Sequence, residues 1–323
     1  MFRTELSVSP SQGTIGLKDP IFTIGSCFSD AIGRQFAINK FNILANPFGT
    51  IYNPVSIFKL LDYCLEDSRP NQDTFIIRDG LYLSYDFHSF FTAQSESELQ
   101  GQLAQKIKNT RAYLKQTKYL IITLGTAYVY EIRENKEIVA NCHKQPQELF
   151  TKRLLTQKEI VARFQKCYDN LMQNQSDTQI ILTVSPVRHL KDSIEGNSVS
   201  KSILRLTCHT LSEQLQNVNY FPSYELLLDD LRDYRFFKKD MIHPSEEAEE
   251  YIWEKFQQSY VDSSLQNFIA KWKKLRTAIH HKAFNPTSEK HQKFLKDTVK
   301  KISELNRDVD FSYEIELLKK QIL

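Results

Sequence analysis

The chain reads as an α/β protein: a three-layer α/β/α sandwich built on a mainly parallel sheet, with a helical C-terminal extension. Three observations predict this. Short apolar runs at 21–25, 118–124 and 179–184 are closed by turn residues, as strands buried on both faces are. Long segments of helical spacing lie between them, and strands alternating with helices give parallel pairing with right-handed crossovers that place helices on both faces. Beyond Pro244 no strand signal remains, only helical patterns.

Taken in order, Ile21-Phe22-Thr23-Ile24 is a strand that Gly25 ends, and Ser29 or Asp30 can cap the helix that follows, with Ile32 and Phe36 on one face. Phe41–Leu44 is a second short strand. It leads into Asn46-Pro47-Phe48-Gly49, a loop that runs to Pro54, and a helix over 55–65. Arg78-Asp79-Gly80 signals a hairpin between 75–77 and 81–83. A helix over 96–117 precedes the strongest strand, Tyr119–Leu124, closed by Gly125. A second hairpin joins 128–132 to 137–140. Thr156 with Glu159 forms a capping box for a helix to 173. After the strand 179–184 come a helix over 197–214, a short strand over 218–221 and a short helix over 224–231. Further helices cover 245–260, 265–280, 287–305 and 313–323. Asn285-Pro286-Thr287 divides the chain into a domain over 1–284 and an extension over 285–323, which can pack on the core, form a lid or make a dimer contact.

Composition excludes several classes. The 323 residues are 41% hydrophobic and 25% charged, and 42 basic against 39 acidic side chains leave a net charge of +3, which is no footprint of a nucleic-acid binder. No apolar run approaches the roughly 18 residues of a membrane span, and residues 1–16 lack an apolar signal core, so the chain reads as cytoplasmic. Five widely spaced cysteines, with no CxxC, fit neither a disulfide framework nor a zinc knuckle, and no cofactor or metal is expected. No G-x-G-x-x-G follows a strand, which argues against a dinucleotide-binding oxidoreductase.

Two elements carry chemistry. Gly25-Ser26-Cys27-Phe28-Ser29-Asp30 is a strand-to-helix turn, placing two candidate nucleophiles, the Ser26 hydroxyl and the Cys27 thiol, at the carboxyl edge of the sheet and at a helix N-terminus. Asp240-Met241-Ile242-His243-Pro244-Ser245 sets an acid three residues before a histidine, just ahead of a helix. The carboxylate can fix the imidazole tautomer while the other ring nitrogen accepts a proton from the nucleophile.

These blocks resemble the SGNH (GDSL-type) hydrolases, whose first block is a strand followed by G-D-S-[LI]-[ST]-D and whose last is D-x-x-H-P. Gly-Ser-Cys-Phe at 25–28 looks like the GSCFA family within that superfamily. So do Asn46–Gly49, Leu124-Gly125-Thr126-Ala127, Asn141-Cys142-His143-Lys144, Ser185-Pro186-Val187-Arg188-His189 and Asp233-Tyr234-Arg235; the resemblance covers about residues 1–280. It implies an acyl-ester hydrolase or acyltransferase that forms a covalent acyl-enzyme on a small-molecule or carbohydrate ester. Aligned on Gly25, the superfamily's nucleophile falls on Cys27 and its preceding aspartate on Ser26, with Asp240 and His243 completing the catalytic set. Oxyanion donors are expected from Gly49, Asn46 and Thr126. The asparagine of the family's G-x-N block is replaced by Ala127, and the loss of one such donor costs roughly 100- to 1,000-fold in rate, so Thr126, Asn141 or His143 would have to substitute.

A thiol beside His243 and at a helix N-terminus is expected to have a lowered pKa. Asn141, His143, Arg188 and His189 are candidate substrate-binding residues, and Cys142–His143 reads either as structural support or as a second dyad or metal ligand pair. Cys64, Cys167, Cys208 and His209 fall on helices as core or surface residues, and His88, His280, His281 and His291 have no constellation around them. The competing reading is a binding module that keeps the pocket and has lost turnover. Ala127 favours it, and the intact Asp240–His243 pair opposes it.

Overall fold

In chain order the strands are β1 (Ile21–Gly25), β2 (Ile43–Ala45), β3 (Phe75–Arg78), β4 (Leu81–Ser84), β5 (Tyr119–Leu124), β6 (Tyr128–Ile132), β7 (Ile138–Val139), β8 (Phe150–Leu154), β9 (Gln179–Val184) and β10 (Val218–Tyr220). The helices are α1 (Cys27–Ile38), α2 (Pro54–Glu66), α3 (Glu96–Leu114), α4 (Gln157–Asn174), α5 (Ser193–Gln214), the single turn α6 (Ser223–Glu225), α7 (Glu246–Tyr260), α8 (Ser263–Ile279), α9 (Glu289–Leu305) and α10 (Ser312–Lys319). They come from a computed structural model that describes residues 4–11, 13–305 and 308–323.

Five strands form one parallel sheet in the order β10-β9-β5-β1-β2. The register pairs Gly25 with Thr123 and Leu124 with Val184, so β1, β5 and β9 end at one level. Every residue of β1 and β5 is buried, which is why they read as continuous apolar runs. Alternate residues serve opposite cores. Phe22, Ile24, Leu120, Ile122, Ile180 and Leu182 join one with Phe58, Phe164 and Leu204 of α2, α4 and α5. Ile21, Ile121 and Ile181 join the other with Phe36 of α1 and Trp253 and Phe256 of α7. The period of two in the strands meets helices on both faces.

The extension over 285–323 belongs to the second core, since Leu295, Ile302, Phe311 and Leu318 are buried in it beside Trp272 of α8. Trp272 Nε1 donates to Ile38 O at 2.7 Å, and Lys40 lies against the rings of Trp272 and Phe311 while pairing with Glu314 at 2.6 Å. Packing on the core, one of the expected placements, is seen.

Two antiparallel units sit outside the main sheet: the hairpin β3–β4 and the three-stranded sheet β7-β6-β8. Strand β8 was not legible in the sequence. Its Lys152 and Arg153 look like loop residues until their partners, Asp192 and Glu131, are brought across from elsewhere in the chain. The expected short helix over 224–231 is a single α turn running into a π-helical stretch, Leu226–Leu231.

Candidate active site

The turn after β1 is held tightly. Gly25 has φ +137°, and a Cβ there would lie 2.1 Å from Thr123 O, so only glycine lets β1 run this close to β5. Ser26 N–H donates to Thr123 O at 3.1 Å. Ser26 is wholly buried, and its hydroxyl caps α1 by accepting from Phe28 N–H at 3.3 Å. Cys27 opens the helix and is only partly buried. Of the two candidate nucleophiles, the thiol reaches the surface and the hydroxyl is occupied with the turn.

The thiol is not acidified as expected. Burial pushes its pKa up, with Asp30 one turn along adding to the rise, and these outweigh the downward pull of Lys201 and of the N–H groups of Cys27 and Phe28. The backbone N–H groups of Cys27 and Phe28 are the hydrogen-bonding groups that act on the sulfur, and among the described residues no hydrogen bond joins Cys27 Sγ to His243.

The second element has its anticipated internal geometry. His243 Nδ1 lies 2.7 Å from Asp240 Oδ2, while Asp240 Oδ1 accepts the backbone N–H groups of Ile242 at 2.9 Å and His243 at 3.0 Å. These bonds, to the His243 backbone first, hold the Asp240 carboxyl well below the usual carboxylate range. With Nδ1 donating to the carboxylate, Nε2 is left as the working nitrogen. The His243 side chain is 41% exposed. Arg188, just beyond β9, fastens this loop: its N–H donates to Ile242 O at 3.2 Å, its guanidinium to Met241 O at 3.3 Å, and it stacks 4.1 Å over Phe237.

At the carboxyl ends of β5 and β9 lies a group the sequence reading missed. Lys201 of α5 is 1% exposed, and its Nζ donates to Gly125 O and Ser185 O, each at 2.7 Å. These carbonyls follow β5 and β9 directly, so the lysine ties two strand ends together. Burial lowers its pKa to about 7, with Cys27 pulling the other way. A signal was present: Asn197, Lys201, Leu204, Cys208 and Leu211 form one helical stripe, and a lysine on a buried stripe needs partners. His189 and Tyr52 complete the surround. Their rings meet edge to face at 5.2 Å, and His189 N–H donates to Asn197 Oδ1 at 2.9 Å. Burial, with Lys201 and His243 adding, drives His189 down to about 3, and its buried Nε2 has no partner among the described residues.

The expected oxyanion donors are engaged elsewhere. Gly49 N–H donates to Asn46 O at 2.8 Å. The Asn46 amide clasps Gly25, accepting its N–H at 3.1 Å, and donates to Asp30 Oδ1 at 3.1 Å. The Thr126 hydroxyl lies 3.0 Å from Ser200 Oγ and accepts from Tyr128 N–H, and Ala127 is buried in the core. Asn141 and His143 sit against the hairpin. Asn141 Oδ1 accepts His143 N–H at 2.8 Å, His143 Nε2 lies 2.7 Å from Ser84 O, and the ring stacks on Tyr85. Cys142 packs into the small cluster of Tyr85, Val139 and Phe150. Among the described residues no group of three or more His, Cys, Asp or Glu side chains is arranged to hold a metal, and no helix is long and apolar enough to cross a membrane.

The molecule is thus a parallel α/β protein with a cysteine, a buried lysine and an Asp–His pair at the carboxyl ends of its strands. The GSCFA family profile matches residues 20–256, and the profile of the GSCFA domain protein C-terminal domain matches residues 272–323. The chain belongs to the GSCFA family. None of the curated proteins matches it. Among solved structures, one from Streptococcus pneumonia, described as a candidate platelet activating factor, superposes at a TM-score of 0.39 with 11% identity, covering 75% of this chain and 83% of that one.

Proposed function

We propose that this protein is an acyl-ester hydrolase or acyltransferase of the SGNH type, acting through a covalent acyl-enzyme on Cys27, with acylated carbohydrates as one candidate substrate class. On this reading the sheet with its two helix layers is the SGNH-type sandwich. The observation that carries the reading is the Asp240–His243 pair, bound at 2.7 Å and fastened through Arg188 to the end of β9, with partly exposed Cys27 at the end of β1 in the same sheet.

The chemistry runs in two halves. Cys27 gives its Sγ–H proton to a neighbouring base and attacks the acyl carbon, an S–C bond forms, the ester C–O bond breaks, and the leaving alcohol takes a proton from the His243 imidazolium. A water or acceptor alcohol then gives its proton to His243 Nε2 and attacks the thioester, and the sulfur departs as a thiolate that regains its proton from the same base. Asp240 orients the imidazole and stabilises its charged form. The N–H of Cys27, in the first turn of α1 where backbone donors lack helical acceptors, is the donor proposed for the oxyanion.

A binding module without turnover is favoured by one observation: Gly49, Asn46 and Thr126 are all engaged, and Ala127 stands where the family's asparagine would donate. A pulse of an activated ester followed by peptide mass spectrometry separates the two. The enzyme reading expects a hydroxylamine-labile adduct on the Cys27 peptide that accumulates only while His243 is intact. No adduct on a range of acyl esters decides for the binding module.

A further inference from the structure

We propose that Lys201 is the charge partner of Cys27, taking up the proton that the thiol gives up when it becomes a nucleophile. The inference rests on the acyl-enzyme reading for its purpose, though not for its test. It names the base that takes the thiol proton in that reading, a role for which His243 is the other candidate.

The geometry is specific. A lysine is almost never fully buried without partners, and Lys201 is 1% exposed with its Nζ fixed by exactly two carbonyls, Gly125 O and Ser185 O, at 2.7 Å each. Gly125 follows β5, the direct neighbour of β1 in the sheet, and Ser185 follows β9 one strand further on; Gly125 lies so close to Ser26, the residue before Cys27, that a Cβ there would be 3.3 Å from Ser26 Cβ. Two of the nitrogen's hydrogens satisfy the carbonyls in either protonation state. The remaining position is a lone pair in the amine and an N–H in the ammonium. Neutral Lys201 can therefore keep both bonds and still accept a proton.

Burial favours that neutral form and lowers the pKa to about 7, while Cys27 raises it and Lys201 lowers that of Cys27 in turn. Other groups face the pair: Asp30 raises the thiol, His189 lies within the field of Lys201, Tyr52 within that of Cys27, and the Tyr224 ring stands 5.9 Å from Nζ. None of these is a cation able to replace Lys201 inside the core. In the step itself the Sγ–H bond breaks and an Nζ–H bond forms. Both residues become charged, the pair stays neutral overall, and the proton returns to sulfur when the thioester is cleaved. The transfer requires Sγ to come within hydrogen-bond reach of Nζ in the substrate complex.

The test is the pH dependence of Cys27 alkylation by iodoacetamide in the full chain, followed by mass spectrometry. Lys201→Gln keeps amide donors for the two carbonyls but cannot accept a proton. It is expected to slow alkylation at pH 7 about tenfold, the change for one unit of thiol pKa, and to move the midpoint upward. His243→Ala is expected to leave the profile in place. A second measurement does not depend on the fold of the lysine variants: the Lys201 titration by lysine-labelled NMR, in wild type and in Cys27→Ala, whose midpoint is expected to fall when the thiol is removed. An unchanged Lys201 midpoint, or an alkylation profile that moves in His243→Ala and not in Lys201→Gln, overturns the pairing. If no ester is ever turned over and the coupling is still seen, the acyl-transfer reading fails and the pairing stands.

Discussion

His243 Nδ1 lies 2.7 Å from Asp240 Oδ2, and the other oxygen of that carboxylate holds the backbone of the same loop. One side chain thus sets both the orientation of the imidazole and the shape of the turn that carries it. Asp240→Asn keeps the size but replaces an acceptor with an amide that can face Nδ1 with its N–H, giving the wrong tautomer. We expect turnover of an activated ester to fall at least about 100-fold in Asp240→Asn and to vanish in His243→Ala, with unchanged circular dichroism. Wild-type turnover in His243→Ala removes this residue from the mechanism.

Ser26 and Cys27 are neighbours with opposite surroundings, the first wholly buried as a helix cap and the second partly exposed. Ser26→Ala should cost stability, roughly 1 kcal/mol for a lost cap, and leave most of the acyl transfer. Cys27→Ser should be folded and much slower, because a hydroxyl needs stronger base assistance than a thiol. Denaturant titration and ester kinetics on the two variants check both halves. An active Cys27→Ala beside a dead Ser26→Ala reverses the assignment.

Gly25 tolerates no side chain. A Cβ would sit 2.1 Å from Thr123 O at a φ of +137°, and its N–H is also bound by Asn46 Oδ1. Gly25→Ala is expected to lose at least about 3 kcal/mol, since strain at a special φ adds to a clash with backbone that cannot yield. A urea midpoint within error of wild type contradicts this.

The acid limb of stability should carry the mark of His189. Its folded pKa is lowered to about 3, against about 6.5 in an unfolded chain, so between these values the unfolded state binds more protons and stability falls as pH falls. Asp240 acts in the same direction at lower pH, its depressed carboxyl contributing stability that is lost as it protonates. Measured between pH 7 and 5, above the Asp240 range, the slope of unfolding free energy with pH should flatten in His189→Gln. An equal slope in the variant would falsify the assignment to His189.

The chain by itself determined the parallel sheet and the local geometry of the Gly25–Cys27 turn and the Asp240–His243 loop. Runs such as Tyr119–Leu124, short, apolar and closed by glycine, read as strands buried on both faces, and the Gly25–Cys27 turn and the Asp240–His243 spacing are local features that short-range sterics and hydrogen bonding decide. The Thr156–Glu159 capping box was legible for the same reason, whereas α1 is capped by Ser26 and not by the expected Ser29 or Asp30, and α5 begins at Ser193 rather than at 197. What only the tertiary structure decided is which polar groups are free to act. Asn46, Gly49 and Thr126 have donors of the right type, yet each is engaged by Gly25, Asn46 or Ser200, partners up to 74 residues away. Lys201 looks like one of many surface lysines until α5 buries it against the ends of β5 and β9, and the thiol at Cys27 looks acidified until burial raises its pKa. Desolvation and hydrogen-bond satisfaction depend on everything packed around an atom, and that is set by contacts across the fold rather than by neighbours in sequence.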